Sequence, residues 1–332
     1  MDKIDLSEVC QNYRARVIRV TPLDDCYLLE TNRGPKELHV WPRIDVMRWS
    51  FAWRERLARQ GFREVERFIR TRESKPYVLV GKQGVTMTDH VRKLEAFHPE
   101  RDTAYQSGRV VAMMHLSQQE SNLLAGADYL RQEQMKAETE WTRAKSLFES
   151  YRAKFAKEKG EKRWVVSLMQ PLLQRMERSV TMLGDDRIAA DVLSVSHKDL
   201  IPDNWGLANG RLHLRGFFRP TLSVQQRDVA GYLRHLYLTQ LDLSQVDAFL
   251  DGYEEVKPLT REDYTLMLAF MARPREIWRS VEAYVNRVSK NKEMPITGIE
   301  QAIKSQQSVD VLLRHIADRA ERPRSESANE PL

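Results

Sequence analysis

The chain has 332 residues, of which 42% are hydrophobic and 30% charged, a balance that predicts a packed core and excludes a disordered chain. Its 53 basic and 47 acidic residues leave a formal charge of +6, which allows acidic partners or nucleotide phosphates, yet no DNA- or RNA-binding signature accompanies it. The 2 cysteines, Cys10 and Cys26, have no metal-ligand spacing and fit a reducing compartment, and with no apolar leader and no membrane-length apolar run the expectation is cytoplasmic synthesis and no membrane partner.

In chain order, Arg16–Val20 alternates apolar and polar residues, and Cys26–Glu30 and Leu38–Trp41 are further strand-like pieces. The turn sequences Pro22-Leu23-Asp24-Asp25 and Asn32-Arg33-Gly34-Pro35 separate them, so an antiparallel meander is expected. Residues 44–60 place Val46, Trp49 (or Phe51), Trp53 and Leu57 at helical spacing, with Gly61 as the stop. Strands are expected near Phe68–Thr71, Tyr77–Gly81 and Val85–Thr88. The pattern then turns helical. Residues 101–117 put Val110, Met113 and Met114 on one face. Residues 127–158 read as a long charged helix with a thin stripe of Met135, Trp141, Leu147, Tyr151 and Phe155. A helix over 163–183 has Trp164, Val165, Leu168, Leu172 and Met176 as its core face, with a kink or boundary at Pro171. Helices near 224–240, 243–253, 260–271, 273–290 and 297–319 follow. The expected architecture is α+β and bilobal, of the protein-kinase kind. A strand-rich N-lobe covers 1–90, a helical C-lobe 91–320, and a disordered tail 321–332.

Val195–Phe218 reads VSHKDLIPDNWGLANGRLHLRGFF, and the rest of the chain is organised around it. His197, Asp199 and Asn204 have the H-x-D-x-x-x-x-N spacing of a phosphotransfer catalytic loop. In that chemistry Asp199 would orient and deprotonate the acceptor hydroxyl, His197 would brace the loop, and Asn204 would hold the metal through its amide oxygen. The acid expected after the following strand falls at or near Gly216, which has no ligand atom. Asp228, the next acid downstream, reads as structural, a cap or a brace. On the third strand the residue facing the phosphates is His39, and Lys36 reads as a solvated turn residue. No glycine-rich phosphate loop is present, and Asp24 and Asp25 stand where phosphates would approach. Glu55 is the one glutamate on the first helix that could pair with a third-strand base, and it reads as an exposed carboxylate beside Arg54 and Arg56.

These pieces, in this order, resemble the CotS-type spore coat kinases, a branch of the aminoglycoside and choline phosphotransferase-like kinases. The resemblance is carried by TNRGPKELHV, Leu57–Phe62, Lys75-Pro76-Tyr77-Val78, the helix ending at His115, HKDLIPDN, and Gln226-Arg227-Asp228-Val229. Tyr253-x₄-Pro258-Leu259-Thr260-Arg261-Glu262-Asp263-Tyr264 and Arg273-Pro274-Arg275-Glu276-Ile277-Trp278 complete it. It implies a kinase-like fold, other spore coat proteins as partners, deposition in the spore coat, and ATP and magnesium as cofactors of an active member. Asp199 matches the catalytic base, Asn204 the metal-binding Asn, and Asp228 the acid after the catalytic segment. His39 stands in the place of the family Lys, and Gly216 in that of the metal-binding Asp. The first reading is a catalytically impaired coat protein. The second is an active phosphotransferase with Asp203 as a substitute ligand, and the third a binder of acidic polymers.

Overall fold

The computed structural model describes residues 5–23, 26–61, 65–90, 95–96, 100–117, 119–120, 123–184, 193–197, 200–201, 204–208, 211–216, 221–290, 292 and 294–322. Asp199, Asp203, the Asp24-Asp25 pair, the Asn209-Gly210 turn and the tail from 323 lie outside them.

The elements are α1 (Leu6–Gln11), β1 (Val17–Pro22), β2 (Tyr27–Thr31), β3 (Lys36–Trp41), α2 (Ile44–Arg59), β4 (Val78–Val80), β5 (Gln83–Asp89) and β6 (Glu95–Ala96). Next are α3 (Arg101–Ser117), β7 (Gln119–Glu120), α4 (Leu123–Phe155), α5 (Glu161–Leu183), β8 (Leu193–Ser196), β9 (Trp205–Ala208), β10 (Arg211–Leu214) and β11 (Thr221–Val224). Helices α6 (Gln225–Gln240), α7 (Leu243–Val256), α8 (Arg261–Ala272), α9 (Arg275–Val288) and α10 (Thr297–Ala320) complete the chain. A strand-rich N-terminal sheet followed by a largely helical C-terminal region is the bilobal α+β arrangement of a kinase-like fold. Among the described residues no helix is long and apolar enough to cross a membrane.

Contacts sort the chain into two units. The first comprises Met1–Gln119, Ser194–Leu222 and Asp251–Val256. Its main sheet has the order β1-β2-β3-β5-β4, every pair antiparallel. Alternation along the strands gives the sheet two different faces. Leu29, Leu38, Val85 and Met87 pack against Val9, Cys10 and Tyr13 around α1. The sequence pattern had no helix there; it is held by Asp5, whose carboxylate accepts from the amides of Ser7 and Glu8. On the other side Trp41 meets Met47 of α2 and Phe68.

Three expectations need correction here. The buried stripe of α2 is Met47, Ser50, Trp53, Arg54 and Leu57, so Trp53 and Leu57 face inward as expected while Met47 and Ser50 take the places expected for Val46 and Trp49. Phe68–Thr71 is no strand: the segment lies beside β5 through one bond, from the Ile69 amide to the Met87 carbonyl. Lys36 is a strand residue, opposite Asp89 and ion-paired to it, with its side chain largely covered.

The second unit comprises Glu120–Leu193, Ser223–Leu250 and Lys257–Leu332. Its core joins Phe148, Tyr151 and Phe155 of α4, Val165, Met169 and Met176 of α5, and Trp278, Val281 and Tyr284 of α9. Met135 and Trp164 are exposed, since α4 and α5 turn Glu133, Ala137, Phe148 and Met169 inward instead. Helix α5 runs through Pro171 as one helix.

Candidate functional site

The first unit assembles a buried to half-buried chain of ionisable groups on the α2-facing side of its sheet. On β3, Glu37, His39 and Trp41 alternate onto one face, and all three are buried. Pairing with β5 sets Thr88 opposite Glu37 and Thr86 opposite His39. The Trp41 indole donates to Thr86 Oγ1 at 2.8 Å, and His39 Nε2 lies 3.4 Å from Thr88 Oγ1. His39 Nε2 is also 3.5 Å from Glu37 Oε2. Just past β5, His90 Nδ1 is 2.6 Å from Glu37 Oε1. A carboxylate only accepts, so Nδ1 of His90 carries the proton in that bond.

Arg215 enters from the end of β10, and its Nη2 donates to Glu37 Oε1 at 3.0 Å while its Nε lies 3.7 Å from Glu66 Oε1. Glu66 is placed there by its neighbour Val65, which bridges to Leu214. On Glu66's other side, Arg54 of α2 donates to the Glu66 carbonyl at 2.9 Å and lies 3.6 Å from its carboxylate. Arg54 also donates to Ser50 Oγ at 3.2 Å and stacks 4.6 Å above the Phe68 ring. Read along the chain of contacts, the order is Arg54, Glu66, Arg215 and Glu37, with alternating sign, and then the two histidines.

The electrostatics follow from burial and pairing. Burial alone would raise Glu37, but the bonds from His39 and His90 and the Arg215 charge outweigh it and hold the carboxyl at about 2. Burial lowers Arg54 to about 10, with the Glu66 charge opposing, so it stays a cation at neutral pH. Glu66 is raised by burial, and Arg54 pulls in the opposite direction.

The predicted loop residues meet this network at Arg215. His197 is fully buried, and its Nε2 donates to the Arg215 carbonyl at 2.6 Å. The Arg215 amide donates to the Asn204 carbonyl at 2.8 Å. Both ends of residue 215 are thereby fixed, and Gly216 follows with φ +82°. A Cβ at 216 would stand 3.1 Å from Asn204 Oδ1, so the side-chain position of residue 216 faces the Asn204 amide. His197, Asn204, Gly216 and, through Glu37, His39 are therefore one site. Asp228 is buried in the first turn of α6, within the second unit.

Sequence reasoning missed Glu37, Glu66, Arg54, His90 and Arg215. A signal existed for Arg54, which shares the 3.6-residue stripe of Met47, Ser50 and Leu57. Glu37-x-His39 also has strand spacing. Nothing local marked the others. Glu55, by contrast, is mostly covered and pairs with Arg67 and Arg70 at 3.0 and 3.1 Å, away from His39.

Comparison with known proteins agrees with this architecture. A search of curated protein sequences finds no match. Among solved structures, an aminoglycoside phosphotransferase from Alicyclobacillus acidocaldarius subsp. acidocaldarius DSM 446 superposes with TM-score 0.78 at 16% identity, covering 97% of this chain and 98% of that one. An AMP-bound spectinomycin phosphotransferase, APH(9)-Ia, gives 0.58 at 12% identity, covering 96% and 98%. The amicoumacin kinase hAmiN gives 0.57 at 14%, covering 95% and 92%. At these identities the likeness is one of fold. A family model described as "Spore coat putative kinase YutH" matches residues 45–316. That span includes nearly all of α2, the residues from 195 to 218, α4 to α9 and most of α10, and the chain belongs to the YutH spore coat kinase family.

Proposed function

We propose that this chain is a catalytically impaired, kinase-like protein of the bacterial spore coat, a pseudokinase that acts in coat assembly or binding with other coat proteins as its partners. The observation that carries the reading is Gly216 beside Asn204. The resemblance places a metal-binding aspartate at 216, and this chain has no side chain there. Magnesium in phosphotransfer sites is held through one or two carboxylates together with phosphate oxygens. Asn204 offers a neutral amide oxygen, and among the described residues no group of three His, Cys, Asp or Glu could hold a metal. The donors among the described residues supply no carboxylate for magnesium at position 216.

The phosphate side supports the same reading. The position of the family lysine holds His39, whose Nε2 is turned toward Glu37 and Thr88. The nearby guanidinium groups, Arg215 and Arg54, are engaged by Glu37 and Glu66. One preorganised contact to a developing charge is worth about 3–4 kcal/mol, and loss of two leaves activity lower by roughly 10⁴ or more even with partial additivity.

The second reading is an active phosphotransferase with Asp199 as base and Asn204, helped by Asp203, as metal ligand. It draws support from Asn204, whose amide faces position 216 as a ligand pair would require. The two readings separate in a turnover assay with magnesium and ATP. The pseudokinase predicts the same background rate for the wild type and Asp199→Ala. A magnesium-dependent rate that disappears in Asp199→Ala would establish the enzyme instead.

A further inference from the structure

Within the second unit, helices α4, α5, α6 and α9, with the segment leading into α9, line an open cavity of about 410 Å³. That is the size of a small-molecule site. Its wall is unusually cationic. Lys136, Arg143, Arg227, Arg273, Arg275 and Arg279 line it, against Glu133, Glu140 and Glu282. The helical spacing explains the convergence. Glu133, Lys136, Glu140 and Arg143 recur every three or four residues on α4, and Arg275, Trp278, Arg279 and Glu282 stand at i, i+3, i+4 and i+7 on α9.

All three carboxylates are already engaged. Glu133 is shared by Lys136 at 2.8 Å and Arg227 at 3.1 Å. Glu140 pairs with Arg273, which is 6% exposed, and Glu282 pairs with Arg143 at 2.6 Å. Arg275 and Arg279 have no carboxylate partner among the described residues. Arg275 is crowded by like charge as well: desolvation, then the charges of Arg273 and Arg227, lower its pKa, with Glu140 and Glu133 pulling the other way. A site that gathers two unneutralised guanidinium groups against two more, over an apolar floor of Met176, Pro274 and Trp278, is electrostatically incomplete without an anion. Guanidinium forks match phosphoryl oxygens two by two. The cavity is also larger than an orthophosphate ion needs.

We propose that this cavity binds a small molecule bearing a phosphoryl group, gripped by Arg275 and Arg279 with Arg227 and Arg273 behind them. The proposal is independent of whether the chain transfers phosphate. It also gives a role to Arg273-Pro274-Arg275-Glu276-Ile277-Trp278, which the catalytic-loop chemistry leaves unused.

The test is calorimetric titration of the full chain with three probes: orthophosphate, tripolyphosphate and phenyl phosphate, at constant ionic strength. Saturable binding of tripolyphosphate or phenyl phosphate tighter than orthophosphate is expected; tripolyphosphate as the tightest probe assigns an oligophosphate, phenyl phosphate a monoester. Arg275→Ala should weaken binding by about tenfold or more, the worth of a charge-assisted bond, and Arg275→Ala with Arg279→Ala should abolish it. Because Arg275 and Arg279 are exposed and Arg275 is repelled by its neighbours, the ligand-free double variant should melt at or above the wild-type temperature. Removing the same charge elsewhere, by Arg56→Ala with Arg59→Ala, should leave binding intact. Absence of saturable binding for all three probes overturns the proposal, as does equal weakening by both double variants.

Discussion

At the scale of single residues, the account turns on Glu37 and Gly216. Glu37 is one carboxylate serving Arg215, His39 and His90 in a buried place. Its folded pKa of about 2 lies below its ordinary 4.5, so its contribution is fully present above about pH 4.5 and is lost as pH falls toward 2. That shift corresponds to about 3 kcal/mol. Urea unfolding of the wild type and Glu37→Gln should therefore differ by about 3 kcal/mol at pH 6, and the difference should shrink at pH 3. A gap that is constant with pH would place the effect in packing instead. Gly216, at φ +82° with the Asn204 amide 3.1 Å from a would-be Cβ, admits no side chain without strain. Gly216→Ala should cost about 1–2 kcal/mol, read as a lower melting temperature. Gly216→Asp would carry the same strain and should lower the melting temperature at least as much. Glu37 and Arg215 were illegible in the sequence because they meet across 178 residues, and no spacing rule reaches that far. His197, Asn204 and the gap at 216 were legible because their distances are local.

At the scale of elements, the periodicity of buried residues located most helices to within a few residues. It failed where a polar residue had been drawn into an apolar stripe. Arg54 in α2 is the clearest case, since its buried guanidinium meets Glu66, Ser50 and the Phe68 ring. Removing one member of such a pair strands the other. Arg54→Met should destabilise by about 3 kcal/mol, and Arg54→Met with Glu66→Leu should recover much of that loss. Denaturation midpoints of the three proteins decide the matter; an equal loss in the single and double variants would contradict it. Helix starts were more transparent. Thr260 and Asp263 cap α8 reciprocally, each side chain bonded to the other's amide. Thr260→Ala should cost about 1 kcal/mol in the same assay. The strand expected at Phe68–Thr71 was misplaced because an alternating apolar pattern also suits an extended segment laid along a sheet edge by one hydrogen bond.

At the scale of the whole molecule, the kinase-like fold persists while the charges around position 215 close upon one another. Position 39 is a histidine held to Glu37, and position 216 is a glycine against Asn204. The central claim is that the site is self-neutralised, and it is most directly tested by thermal melting of the full chain with and without millimolar magnesium and ATP. The account predicts no magnesium-dependent rise in melting temperature and no change on adding chelator. A clear rise that chelator abolishes would contradict it, because a protein stabilised in that way binds the metal–nucleotide complex.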